Sequence, residues 1–249
     1  MRRKALLIIT TLLFFAVVTP LSLQAQTIKG NGKIKTDVRT ISGFNKLVVQ
    51  GQADLYLSQE STENVKIEAD ENLIELFQTT MVDQTLYIIV PRNIKKVLQL
   101  NITVAFKSLE QITLLDEISL KTDKAINFDV VDIVCGGNSR LVCEFMAKEA
   151  TLNVIDAGYA SLRGYVENFV VRANDDGIIE AFDMQSDNCK IISSGYSEVS
   201  VNAKKKLMLT VSGQSNIYYM GEPNISQRYF CSTGLITKRK TGVAAATTK

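Results

Sequence analysis

The chain has no histidine and no tryptophan among its 249 residues, and only 3 prolines. Without histidine, neither a Ser-His-Asp triad nor a histidine-ligated metal site can be built. No phosphate-cradling glycine loop is present: Gly30-Asn31-Gly32 lacks a following helix and reads as a turn. None of the 4 cysteines (Cys135, Cys143, Cys189 and Cys231) falls in a C-x-x-C pair, which removes the zinc and thioredoxin-like readings. No motif calls for a cofactor or a metal. The scarcity of proline leaves long stretches of backbone free to donate in hydrogen-bonded ladders.

What is present begins with an export signal. Arg2, Arg3 and Lys4 precede an apolar run, Ala5–Val18, and Leu23-Gln24-Ala25 offers a cleavage site before Gln26. The run is short of the roughly 20 residues that span a bilayer, so residues 1–25 are expected to be removed. No later apolar run is long enough to span. Of the 28 bases, Arg2, Arg3 and Lys4 leave with the signal and no acid does, so the 26 acids outnumber the remaining bases by one. That balance argues against nucleic acid as a partner, which usually demands a basic face. Export also permits oxidation of thiols. Cys135 and Cys143 share the inward parity, and two readings stand: buried thiols acting as small apolar side chains, or a Cys135–Cys143 disulfide.

The chain repeats. LNVIDAGYASLR, KIISSGYSEVSV and LMLTVSGQSNIYYM each place a strand-like run on both sides of a tight corner. Aligned on Gly51, Leu114, Gly137, Gly158, Asp175, Gly195, Gly213 and Ser232, the units have a period of about 20 residues from Leu114 onward, as stacked solenoid coils do. Four residues past each corner stand Leu55, Ile118, Leu141, Leu162, Ile179, Val199, Ile217 and Ile236, all aliphatic. Two past it the side chains are small, with Asp116 the exception. The two columns share one parity, the period of two expected when alternate side chains enter a core. A helical period of 3.6 would scramble them.

These columns predict an all-β chain. Residues 26–238 would form one β-solenoid domain, less regular over 26–108, where an N-terminal β-rich cap or layer is expected, and regular over 109–238. Residues 239–249 would form a flexible tail. Val82–Leu86 reads as a hairpin between two strands, and Asn72–Phe77 as a turn or short helical cap.

The order Gly30-Asn31-Gly32, Phe44 leading into LVVQGQADLYL, VKIEADENL, TLYI, then repeated Ser-Gly-x-Ser corners ending in SGQSNIYYMGEP resembles the auto-transporter adhesin, head GIN domain family of secreted bacterial proteins. The likeness covers roughly Ile28 to Lys238. It implies a single-stranded, right-handed parallel β-helix-like fold and export to the envelope or cell surface. It brings no catalytic residues. The chain departs from the family's Gly/Ser corner at Asn174-Asp175-Asp176 and at Leu114-Leu115-Asp116.

Two groups of side chains are candidates for a site. Asp175 and Asp176, with Glu180 and Asp156 near, are solvated turn formers, a calcium or ligand contact, or a carboxylate pair for glycoside chemistry. Tyr159 and Tyr196 stand one past their aligned corners, and Tyr56 and Tyr218 five past theirs. Outward tyrosines either suit half-buried strands or stack on sugar rings beside Asn138, Gln214 and Asn216. The function expected is an exported, non-enzymatic binding or adhesion module that presents a repetitive surface to a polysaccharide or an envelope protein. It would act in the periplasm, at the outer membrane surface or outside the cell. The alternatives are a polysaccharide lyase or hydrolase using Asp175 and Asp176, and a structural component that self-associates as a homo-oligomer.

Overall fold

The computed structural model describes residues 27–240, apart from the side chains of 228–232. The expected signal and most of the tail lie outside the described residues. Strand accounts for 68% of the chain and helix for 3%, arranged as a β-solenoid of about 6 turns, so the all-β solenoid expected from the columns is what forms.

The N-terminal part runs β1 (Ile28–Lys29), β2 (Ile34–Arg39), β3 (Lys46–Gln59) and β4 (Asn64–Asp70). A 3-10 helix (Glu71–Leu76) follows, then β5 (Gln78–Val82), β6 (Thr85–Ile89), β7 (Ile94–Lys95) and β8 (Leu100–Phe106). β9 (Gln111–Thr122) then stacks on β3 in parallel, residue for residue from Lys46↔Gln111 to Leu57↔Thr122. On the other side of β3 lie β6 and β8, also parallel, so these two strands form one further rung. The end of the stack is closed differently. β4 pairs with β8, β2 with β4, and β5 with β6, all antiparallel. A solenoid end needs such a closure, because an open rung exposes a row of unpaired backbone groups.

Beyond β9 come β10 (Ile126–Asn127), β11 (Val130–Cys135), β12 (Arg140–Val154), β13 (Tyr159–Ala173), β14 (Ile178–Ser193), β15 (Glu198–Gly213), β16 (Asn216–Met220), β17 (Asn224–Ser232) and β18 (Ile236–Lys238). β10 pairs in parallel with β12 of the next coil, and each strand from β11 onward lies in parallel on the coil before it.

The stacking register corrects the sequence alignment at two units. Asp116, not Leu114, stacks on Gly51, and Asp156, not Gly158, follows Gly137. Both slips are of two residues. A slip of one would turn every side chain to the other face, but a slip of two preserves parity, so inward and outward patterning cannot detect it. The true corner column is Gly51, Asp116, Gly137, Asp156, Asp175, Gly195 and Gly213, and all seven have positive φ. Four residues on, Leu55, Leu120, Leu141, Ala160, Ile179, Val199 and Ile217 form one fully buried column. Burying a side chain of this size contributes about 1.5–3 kcal/mol, and the ladder of such residues holds the rungs together.

The inside of the corner is narrow. Ser139, Gly158, Gly177, Ser197 and Ser215 line it, all buried. The hydroxyls satisfy one another: Ser193 Oγ and Ser197 Oγ are 2.6 Å apart, Ser197 Oγ donates to Ser215 Oγ at 3.1 Å, and Ser215 Oγ donates to the Ser212 carbonyl.

The Cys135–Cys143 disulfide is not formed. Cys135 ends β11 before a corner and Cys143 lies in β12 after it, and each packs as a buried free thiol, as does Cys189. Cys135 Sγ donates instead to the Ser139 carbonyl at 3.3 Å. Burial pushes Cys135 up to about 11 and both Cys143 and Cys189 up to about 12.

Candidate functional site

The corner builds a ridge. The amide of the residue just past each corner donates to the corner carbonyl of the coil before. These bonds are Asn138 to Asp116 at 2.6 Å, Ala157 to Gly137 at 3.1 Å, Asp176 to Asp156 at 3.0 Å, Tyr196 to Asp175 at 2.7 Å and Gln214 to Gly195 at 2.7 Å. This second ladder sets Asn138, Ala157, Asp176, Tyr196 and Gln214 in one exposed row. Successive members are about 4.8 Å apart, the spacing of hydrogen-bonded strands.

Of the six residues singled out in the sequence, the ridge brings three together. Asp175, Asp176 and Tyr196 lie on adjacent coils, and Tyr196 is 68% exposed. Asp175 has φ 56, and the other corner aspartates, Asp116 and Asp156, have φ 75 and 59. Aspartate is one of the few residues that tolerates this conformation, so the loss of glycine here exchanges one left-handed turn former for another. Among the described residues no group of three or more His, Cys, Asp or Glu could hold a metal ion.

Tyr159 stands elsewhere and is not equivalent to Tyr196. It lies three residues past its corner, between Arg140 and Ile178 on the flanking strands. The Arg140 guanidinium covers its ring at 3.9 Å, and its hydroxyl donates to Glu180 Oε2 at 2.5 Å. Burial, and then the hydrogen bond to Glu180, raise its pKa. Tyr56 and Tyr218 do share a column, linked through Lys121, Val142, Ser161, Glu180 and Ser200, but they stand toward opposite ends of the stack. Arg239 covers the Tyr218 ring at 4.6 Å. Tyr56 borders a broad groove of about 800 Å³ with Lys66, Asp123 and Lys124.

At its N-terminal end the ridge opens into a pocket of about 480 Å³ that the repeat pattern did not disclose. In the rung made by β6 and β8 the corner is replaced by a longer connection after Val90. Val90 N donates to the Gln50 carbonyl at 2.8 Å, which holds the connection against the next coil. Gly51 permits this approach, since a Cβ there would lie 2.0 Å from the Val90 carbonyl oxygen. β1 pins the connection from outside through β7, with Ile28 N donating to the Asn93 carbonyl. The walls are then Gln52, Asp116, Glu117 and Asn138 from successive coils, with Arg92 and Lys95 from the connection. Arg92 reaches Asp116 Oδ1 at 2.6 Å, while Asp116 Oδ2 is buried with no hydrogen-bond donor. The two-residue slip in alignment placed Asp116 in the small inner column, which hid it. The recurrence of aspartate at 116, 156 and 175 is the signal that would have found it.

The family model described as "Putative auto-transporter adhesin, head GIN domain" matches residues 43–223. The chain belongs to this adhesin head-domain family. The GIN head domain shares its fold with a "putative adhesin" of Bacteroides fragilis, at TM-score 0.78 and 20% identity, covering 86% of this chain and 99% of that one. It is also similar to a "putative lipid binding protein" of Parabacteroides distasonis, at TM-score 0.69 and 22% identity, over 86% and 100% of the two chains. A "putative adhesin" of Parabacteroides merdae aligns at TM-score 0.63 and 22% identity, over 87% and 100%. At these identities the likeness establishes the fold alone. No curated protein matches the chain. Among the described residues no helix is long and apolar enough to cross a membrane.

Proposed function

We propose that the chain is an exported, non-enzymatic adhesion module whose corner ridge meets a polysaccharide or a surface protein. The observation that carries this reading is the corner ladder. It fixes one outward side chain per coil on a hydrogen-bonded frame, and the row includes an amide, a carboxylate and the exposed ring of Tyr196. Such a row offers a ligand several weak contacts at once, and linked contacts raise avidity far above that of any one of them. Little ordering is lost on binding, because the frame is already rigid. Membership of an adhesin family supports the same reading. Asp175 and Asp176 serve it as turn former and ridge contact rather than as a catalytic pair.

The test is to incubate the mature protein with a panel of bacterial and host polysaccharides and with immobilised envelope proteins, scoring both retention and newly formed chain ends. Retention without new ends is expected. New ends that disappear in Asp175→Asn with Asp176→Asn would replace adhesion with polysaccharide cleavage.

A further inference from the structure

We infer that the pocket at the N-terminal end of the ridge seats a sugar unit of a neutral glycan, and that the ridge from Asn138 to Tyr196 carries the units that follow. This inference rests on the adhesion reading and names its ligand class.

Charge comes first. Arg92 and Lys95 face Asp116 and Glu117, two bases against two acids, so the walls carry no net charge. A phosphate or an acidic sugar entering here meets two carboxylates. A metal ion meets a guanidinium and an ammonium. A neutral ligand avoids both penalties, and each hydroxyl of a sugar both donates and accepts, as this mixed lining requires.

The lining groups come second. The Arg92 and Asp116 side chains stay 62% and 23% exposed, so their charged ends remain open to a ligand hydroxyl. Gln52 and Asn138 stand on the flanking coils, with amides that can both donate and accept. The volume of about 480 Å³ falls in the range of pockets that hold small organic ligands. The connection over the pocket is set in shape before any ligand arrives. Asn93 and Lys96 hold φ of 63 and 55, which the β1–β7 pairing keeps in place. Non-glycine residues persist in this conformation only where the surroundings fix them.

The ridge comes third. Asn138, Ala157, Asp176 and Tyr196 climb one coil at a time, roughly 14 Å in three steps of about 4.8 Å. Each step is comparable to one pyranose unit of an extended chain. Tyr196 offers an exposed ring for a sugar face at the far end, and a single sugar in the pocket would not reach it.

The experiment titrates the full mature chain, by calorimetry and by ligand-observed NMR, with chitohexaose, mannohexaose and maltohexaose. The matching disaccharides, oligogalacturonate, sodium phosphate and phosphatidylcholine vesicles complete the set. At least one neutral hexasaccharide is expected to bind. Asp116→Asn, which keeps an amide suited to the left-handed corner, is expected to weaken it about tenfold. Tyr196→Ala is expected to weaken the hexasaccharide several-fold and leave the disaccharide unchanged. If Asp116→Asn fails to fold, Asn138→Ala tests the pocket through the neighbouring amide on its exposed rim and is expected to weaken the same hexasaccharide. Binding of none of the neutral chains overturns the inference, as does preferential binding of oligogalacturonate, phosphate or the vesicles. If the protein still holds to cell surfaces in that case, adhesion stands and the glycan assignment falls. Loss of all surface retention ends both.

Discussion

Aspartate and glycine share the solenoid corner because both reach the left-handed conformation, but they do so at different cost. Asp175 carries its Cβ at φ 56, so Asp175→Gly relieves a left-handed backbone while adding chain entropy. We expect its unfolding free energy in urea to stay within about 1 kcal/mol of wild type. Gly195, one coil on, has no such room. A Cβ there would come within 2.7 Å of Asp175 Cα at φ 76, so Gly195→Ala is expected to cost about 1–3 kcal/mol. Equal effects of the two changes would contradict the corner geometry. The buried thiols make a second test. Their ordinary value of 9.0 is raised to about 11 for Cys135 and to about 12 for Cys143 and Cys189. The folded form therefore keeps its thiol protons at a pH where the unfolded chain loses them. The stability they contribute is complete below pH 9 and is lost as pH rises toward 11 and 12, on the order of 1 kcal/mol for each thiol by pH 10. Urea melts of Cys189→Ala should thus show a smaller fall between pH 8 and pH 10 than wild type, by about 1 kcal/mol. Identical falls would place that thiol in water.

Elements were legible where a residue must do one particular thing locally. Val82–Leu86 reads as a hairpin, and the structure gives β5 and β6 joined by Asp83 and Gln84 at φ of 46 and 60. Two positive φ values in a two-residue turn define the mirror-image turn that matches strand twist, and glycine is the preferred second residue. Gln84→Gly should therefore stabilise by about 0.5–1 kcal/mol, raising Tm by about 1–3 °C in a thermal melt. A lowered Tm would show the turn to be of another type. Asn72–Phe77, which reads as a turn or a short helical cap, is a 3-10 helix over Glu71–Leu76. Stacking register was not legible, because the information that separates Asp116 from Leu114 is which residue lies above Gly51. That contact is between coils, and period-two patterning is blind to a shift of two. The same slip made Tyr159 and Tyr196 look equivalent. The pocket was hidden for a related reason: its roof comes from an expanded corner in the β6–β8 rung, which breaks the repeat that made the rest readable.

At the scale of the whole molecule, stability is a sum over neighbouring rungs, so it should be greatest where each rung is covered on both sides. β12, β13, β14 and β15 meet that condition along nearly their full lengths, whereas β18 closes its end with three residues. Native-state hydrogen exchange should show protection highest over β12–β15 and falling toward β17 and β18. Uniform protection would mean that the stack opens only as a unit. A frame that is firm in the middle suits a ridge that runs across those coils, the face we propose to be adhesive. The direct measurement is retention of mature protein on bacterial and host polysaccharides. Wild type would be compared with a ridge variant carrying Asp176→Asn, Tyr196→Ala and Gln214→Ala, and with a variant of the Tyr159 flank carrying Tyr159→Ala. The ridge variant, folded by circular dichroism, is expected to lose most of its retention while the flank variant keeps it. Retention that survives in the ridge variant and disappears in the flank variant would contradict that proposal and move the binding face away from the corner.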